Sequence, residues 1–124
     1  MRNQPKYSFF KNFSYALDGV FEVFKNETAF KIEIFFFVVL SAVLILLSIP
    51  LWAKFLLIGS MFFVLVAEFF NSSIERVVDL VTSKKHPLAK GAKDAAAAGV
   101  LFSIIFVLFL WIGIFLYLFE KGYF

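Results

Sequence analysis

Cysteine is absent from the 124-residue sequence, which excludes disulfides and thiolate metal sites. Glycine and proline are sparse, at six and three residues, and no Ser/Gly/Pro-rich linker divides the chain, so one folded unit over residues 1–124 is expected. Repeats are missing too, and the one biased tract is the helical alanine run of "DAAAAG". Histidine occurs once, at His86, with no second histidine to join it in a metal site. Charge is scarce: 17% of residues are charged, with a net +3. Without a continuous basic face, that balance argues against a nucleic-acid partner and for anionic lipid or nucleotide phosphate.

What fills the chain instead is apolar surface. Hydrophobic residues make up 62% of it, including 20 Phe, against roughly half in a soluble domain. The chain therefore belongs in a bilayer. Apolar runs at about 34–49, 55–70 and 95–119 suggest three spans, the first two reaching the roughly 17–25 residues required only with their flanks, at about 32–49 and 54–72. A cleavable signal peptide is not expected, because about thirty mixed acidic and basic residues precede the first run. Arg2, Lys6, Lys11, Lys25 and Lys31 precede the first span, and Arg76, Lys84, Lys85, Lys90 and Lys93 separate the second from the third. The "IPLWAK" turn holds only Lys54, and the tail only Lys121. The positive-inside rule thus places the N-terminus and the 73–94 loop in the cytoplasm, and the C-terminus outside the plasma (inner) membrane.

Ahead of the first span, Phe9, Phe13, Ala16, Leu17, Val20, Phe21 and Phe24 recur at three- and four-residue intervals. That period predicts an amphipathic helix over about 7–27, lying in the membrane interface or packed on the protein's own spans.

The second span carries an anomaly: Glu68 sits among Val64, Leu65, Val66, Phe69 and Phe70. Asn71, Ser72, Glu75 and Asp79 follow at plus three, four, seven and eleven, all within roughly 60° of Glu68 on a helical wheel. The stripe runs about 10.5 Å from Glu68 to Glu75, linking membrane depth to cytosol. An ionisable group inside a span is costly and points to function, although a protonated Glu68 bonded to a neighbouring helix would also account for it. Asn71 and Ser72 are expected to be buried by neighbouring subunits along with Glu68.

Glu27, in "NETAFKIE", could meet Glu75 across helices, and two carboxylates with open positions suit Mg²⁺, which takes its remaining ligands from phosphate and water. Glu22 and Glu33 read as solvated acids. In "DLVTSKKHPLAKGAKDAAAAG", Pro87 interrupts the chain and Lys84, Lys85, Lys90 and Lys93 gather charge near the acids, a candidate polyphosphate site. Lys93, beside Asp94 at a helix start, is its most specific member, and His86 is expected to shape the loop or touch nucleotide. No Walker A, Gly-rich loop, H-R-D or D-F-G motif occurs, so any phosphoryl transfer uses an unrelated scaffold.

"EFFNSSIERVVDL" followed by "HPLAKGAKDAAAAGVL", with "NETAF" upstream, resembles the prokaryotic diacylglycerol kinases, a family that includes undecaprenol kinases. The resemblance runs from about Tyr15 to the third span. It implies an all-α integral-membrane homotrimer, with three transmembrane helices and one amphipathic surface helix per subunit. It also implies transfer of the ATP γ-phosphoryl group to a lipid hydroxyl. Carried over by position, Glu68 is the general base, and Glu27 and Glu75 are the Mg²⁺ ligands. Tyr15, Lys84, Lys85, His86, Lys93 and Asp94 match nucleotide-binding positions along with Glu27 and Glu75, and Asn71 and Asp79 give polar support. Ser8, Lys54 and Ala97 fall with Glu68 among substrate-binding positions; Ser8 stands where arginine is common and Ala97 where serine is frequent. "AFKIE" resembles the diacylglycerol branch, the expected substrate, and "HPLAKGAKD" the undecaprenol branch. A noncatalytic membrane oligomer, or a transporter subunit in which Glu68 relays protons, is the alternative from another class.

Overall fold

Residues 6–124, which the computed structural model describes, form four helices and no strand; Arg2 lies outside the described residues. In chain order the helices are α1 (Phe9–Asn26), α2 (Thr28–Leu46), α3 (Leu51–Val81) and α4 (Pro87–Glu120). The last three are each long and apolar enough to cross a membrane.

Each boundary has a local cause. Glu27 alone separates α1 from α2: its extended backbone (φ −118°, ψ 117°) ends one helix and starts the next. Its N–H donates to the Val23 carbonyl at 2.9 Å, and its carbonyl accepts from the Lys31 N–H at 3.3 Å. A carboxylate at the start of α2 is also favourably placed against that helix's positive end. Pro50 precedes α3, whose Lys54 ammonium reaches back to the Ile45 carbonyl at 2.6 Å and so satisfies a group at the end of α2. His86 caps α4, its Nδ1 accepting from the Leu88 N–H at 3.2 Å, with Pro87 at the first helical position where its missing N–H costs nothing.

The helices outrun the apolar runs that suggested them. At 1.5 Å per residue, α3 is about 46 Å long and α4 about 51 Å, against a hydrocarbon core of about 30 Å. No glycine or proline lies between Gly59 and Pro87, so nothing stops α3 where its apolar run ends. The expected 73–94 loop is therefore corrected to a non-helical link over 82–86, with helix on either side.

Packing centres on α3, against which α2 and α4 lie, while α1 rests on α2. Near Pro50 the core comprises Leu44, Ile49, Ala53, Leu57, Met61, Ile114 and Leu118. Trp111 Nε1 donates to Ser60 Oγ at 3.0 Å, satisfying two polar groups that lipid could not. At the other end Val23, Phe30 and Leu65 pack together, with Phe30 and Phe69 ring centroids 4.9 Å apart. This second cluster overturns one expectation. Glu68 and Ser72 do not need a neighbouring subunit to be buried: they are 5% and 1% exposed in the single chain, because the α1–α2 corner closes over this stretch of α3.

Candidate functional site

The polar groups of the chain concentrate at the end of the helices remote from Pro50, in two adjoining constellations. The first is built on α3. Glu68, Ser72 and Arg76 succeed one another at four-residue intervals and so share one side of the helix. Glu27, carried to this side by the corner it forms, accepts a hydrogen bond from Ser72 Oγ on its Oε1. The same Oε1 lies 3.3 Å from Arg76 Nη2, while Arg76 Nη1 lies 3.4 Å from Glu22 Oε1 on α1. Asn26 Nδ2 completes the group, donating to Glu22 Oε1 at 2.8 Å.

Above this cluster sits Glu68, buried, with the Asn71 side chain as its polar partner and no ion pair among the described residues. Glu27 and Glu75 are both near enough for like-charge repulsion with it. Glu33 approaches from α2 and also repels Glu68; its Oε2 is sealed from solvent with no partner.

The second constellation is a cleft of about 820 Å³ where the end of α3, the 82–86 link and the start of α4 converge. Asp79, Lys84, Lys85, His86, Lys90, Lys93 and Asp94 all line it. Lys93 Nζ donates to Asp79 Oδ1 at 2.5 Å, bridging α4 to α3, and Lys90 pairs with Asp94 one turn along α4. Lys93 is thus joined across helices to Asp79 rather than to its sequence neighbour. Four lysines in a cleft of this size present the charge and the donors that a polyphosphate requires.

The remaining expected site residues lie elsewhere. Tyr15 is exposed on α1 and does not line the cleft. Ser8 precedes α1 without a side-chain capping bond. Ala97 is exposed on α4. Lys54, fourteen residues from Glu68, stands about 21 Å away along α3, and its ammonium is engaged at the end of α2. Conversely, the sequence marks Arg76 only as positive-inside charge and Glu33 as a solvated acid, whereas Glu22 is exposed as expected yet paired with Arg76. The available signal for Arg76 was its place four residues after Ser72 and eight after Glu68.

Residues 14–115 match the family model described as prokaryotic diacylglycerol kinase. The chain belongs to that family. Its relatives include an undecaprenol kinase of Bacillus subtilis, 45% identical over 101 residues that cover 78% of this chain and 80% of that one. A diacylglycerol kinase of Haemophilus influenzae is 36% identical over 100 residues, 81% of this chain and 85% of the relative. A diacylglycerol kinase of Helicobacter pylori is 40% identical over 106 residues, 82% and 80% respectively. A prokaryotic lipid kinase of this kind is a membrane protein, in keeping with the three long apolar helices.

The Mg²⁺ implied by the family resemblance can be tested against the donor set. Among the described residues no three His, Cys, Asp or Glu side chains converge as a metal cluster. Mg²⁺ asks for less: one or two carboxylates, with phosphate oxygens and water completing an octahedron. Glu27 has its Oε1 engaged and its Oε2 without a bond, and Glu75 makes neither a hydrogen bond nor an ion pair among the described residues. Each carboxylate thus keeps oxygen open to a cation, as the role requires. A bound Mg²⁺ there would supply neutralisation of charge on the phosphoryl group in transfer.

Proposed function

We propose that this lipid kinase phosphorylates the hydroxyl of a membrane lipid at the expense of ATP. Glu68 acts as general base, Glu27 and Glu75 as the carboxylates for Mg²⁺, and the lysine-lined cleft as the nucleotide site. The observation that carries this reading is the position of Glu68. It is a buried carboxylate in an apolar stretch of α3, directly above the Ser72–Glu27–Arg76 cluster. A carboxylate so placed meets a hydroxyl that cannot leave the bilayer. The hydroxyl oxygen forms a bond to the γ-phosphorus, the bond from that phosphorus to the β–γ bridging oxygen breaks, and ADP leaves. The hydroxyl proton passes to Glu68. Lys93, with Lys84 and Lys85, balances the phosphate charge. Tyr15 and Ser8 on or near α1 join only where the bound ligands or a second subunit reach them.

In this reading the cleft and the N-terminus face the cytoplasm, where ATP is found, and the C-terminus faces outward across the plasma membrane. The chain acts as a homotrimer, with α1 lying in the interface on its exposed phenylalanines. Undecaprenol is the preferred acceptor, on the 45% identity to an undecaprenol kinase against 36% and 40% for the two diacylglycerol kinases. Diacylglycerol is the second reading, favoured by "AFKIE" after Glu27. Protein reconstituted in vesicles with γ-labelled ATP and each lipid alcohol in turn decides between them. Label in undecaprenyl phosphate at the faster rate supports the first, label in phosphatidic acid the second, and label in neither removes the kinase reading.

A further inference from the structure

Arg76 has no place in the site as the sequence presented it, yet it is the cation nearest to Glu27. Its guanidinium divides between two carboxylates on different segments, Glu22 of α1 at 3.4 Å and Glu27 of the α1–α2 corner at 3.3 Å. The Glu27 oxygen it meets also holds the Ser72 hydroxyl. Glu22 is itself fixed from the other side by Asn26, which donates to both its carboxylate and its main-chain carbonyl. Arg76 is therefore the junction through which α1, the corner and α3 are tied at the acidic end.

Two physical points decide what such a junction does. The side chains are not deeply buried, with exposures of 43% for Arg76, 55% for Glu22 and 21% for Glu27, so the pairs add little to folding stability. Their effect on a cation arriving at Glu27 is larger. Arginine stays charged at any working pH, and a fixed positive charge within about 5 Å of a divalent ion repels it. At the same time the guanidinium holds Glu27 through Oε1 and leaves Oε2 free. Orientation and competition thus come from one residue.

We propose that Arg76 is a positioning residue and the resident counter-cation of Glu27. It holds this carboxylate in the metal-free chain, sets the concentration at which a divalent cation takes it over, and is drawn partly away from Glu27 by Glu22. This rests on the assignment of Glu27 to the metal.

The test is titration of the full-length protein in a non-ionic detergent with Mn²⁺ as probe, without nucleotide, with bound metal read by electron paramagnetic resonance. Arg76→Gln is expected to tighten Mn²⁺ binding roughly 3- to 10-fold, because one repelling charge is gone. Arg76→Lys restores the charge and is expected to lie within about twofold of wild type. Glu22→Gln leaves Arg76 wholly to Glu27 and is expected to weaken Mn²⁺ binding by a few-fold in the wild type but by clearly less in the Arg76→Gln background, a coupling that loss of one carboxylate's charge alone does not produce; equal weakening in both backgrounds overturns the proposal. Unchanged or weaker binding in Arg76→Gln overturns the proposal. Glu27→Gln separates the two levels. If it abolishes Mn²⁺ binding while Arg76→Gln fails to tighten it, the counter-cation role fails and the metal assignment stands. If Glu27→Gln leaves binding unaltered, the metal assignment fails and the role of Arg76 falls with it.

Discussion

Among the residues, Glu68 and Glu75 have the most sharply different environments on one helical stripe. Glu68 is buried beneath the corner, and Glu75, about 10.5 Å along the axis, is half-buried next to the cleft. Proton removal and nucleotide binding should therefore come apart on mutation. Glu68→Gln keeps volume and most hydrogen-bonding capacity but cannot accept the proton, so turnover is expected to fall roughly 10²-fold or more with MgATP affinity close to wild type. Steady-state kinetics together with nucleotide binding measure both, and retained activity would reduce Glu68 to an interhelical contact. Glu75→Gln is expected to abolish turnover and to weaken Mg²⁺-dependent nucleotide binding, while an unaltered magnesium dependence would remove Glu75 from the site. The stripe was legible in the sequence because helical periodicity alone aligns Glu68, Ser72 and Glu75. The partners were not. Whether Glu27 meets Glu75, or Ser72 and Arg76 instead, depends on how the chain turns between α1 and α2, and a single extended residue decides that turn.

Two helix ends and the short 82–86 link build the cleft. Transmembrane limits were read from where apolar residues end, but a helix continues until glycine, proline or a competing cap stops it, and α3 meets none before Val81. That continuation carries Asp79 up to Lys93, so the α3–α4 pair is latched across the cleft mouth. Lys93→Met removes both the latch and a phosphate donor. Nucleotide binding is therefore expected to weaken roughly 10-fold or more, measurable by calorimetry in detergent. Asp79→Asn breaks the latch and spares the donor, so a loss as large as that of Lys93→Met would mean that the latch, not the phosphate contact, matters. Lys54 belongs to the opposite end. Its bond to the Ile45 carbonyl caps α2, and Lys54→Met is expected to leave lipid phosphorylation within about twofold of wild type and to cost about 0.5–1.5 kcal/mol in stability.

For the whole molecule, the question is what covers the surface that one chain leaves open. Only 11% of the most apolar stretch of α2 and of α4 is buried, and lipid alone would satisfy most of the remainder. One region differs. Between α3 and α4 a groove of about 400 Å³ is lined by Phe63, Val66, Phe70 and Asn71 on one side and by Ala95, Ala96 and Gly99 on the other. Small residues let a neighbouring helix approach closely, and in lipid, where apolar burial drives nothing, close packing of this kind is what associates helices. A Cβ added at Gly99 meets no atom of its own chain within 4 Å. Gly99→Leu is therefore unobstructed at Cβ in the isolated subunit and adds bulk to the groove where a neighbour would pack. If the trimer forms through this face, native mass measurement in mild detergent should show wild type as three chains and Gly99→Leu shifted to monomer, with the same helix content by circular dichroism. A Gly99→Leu trimer would place the subunit contact elsewhere and leave the groove to lipid, and a monomeric, fully active wild type would end the trimer reading altogether.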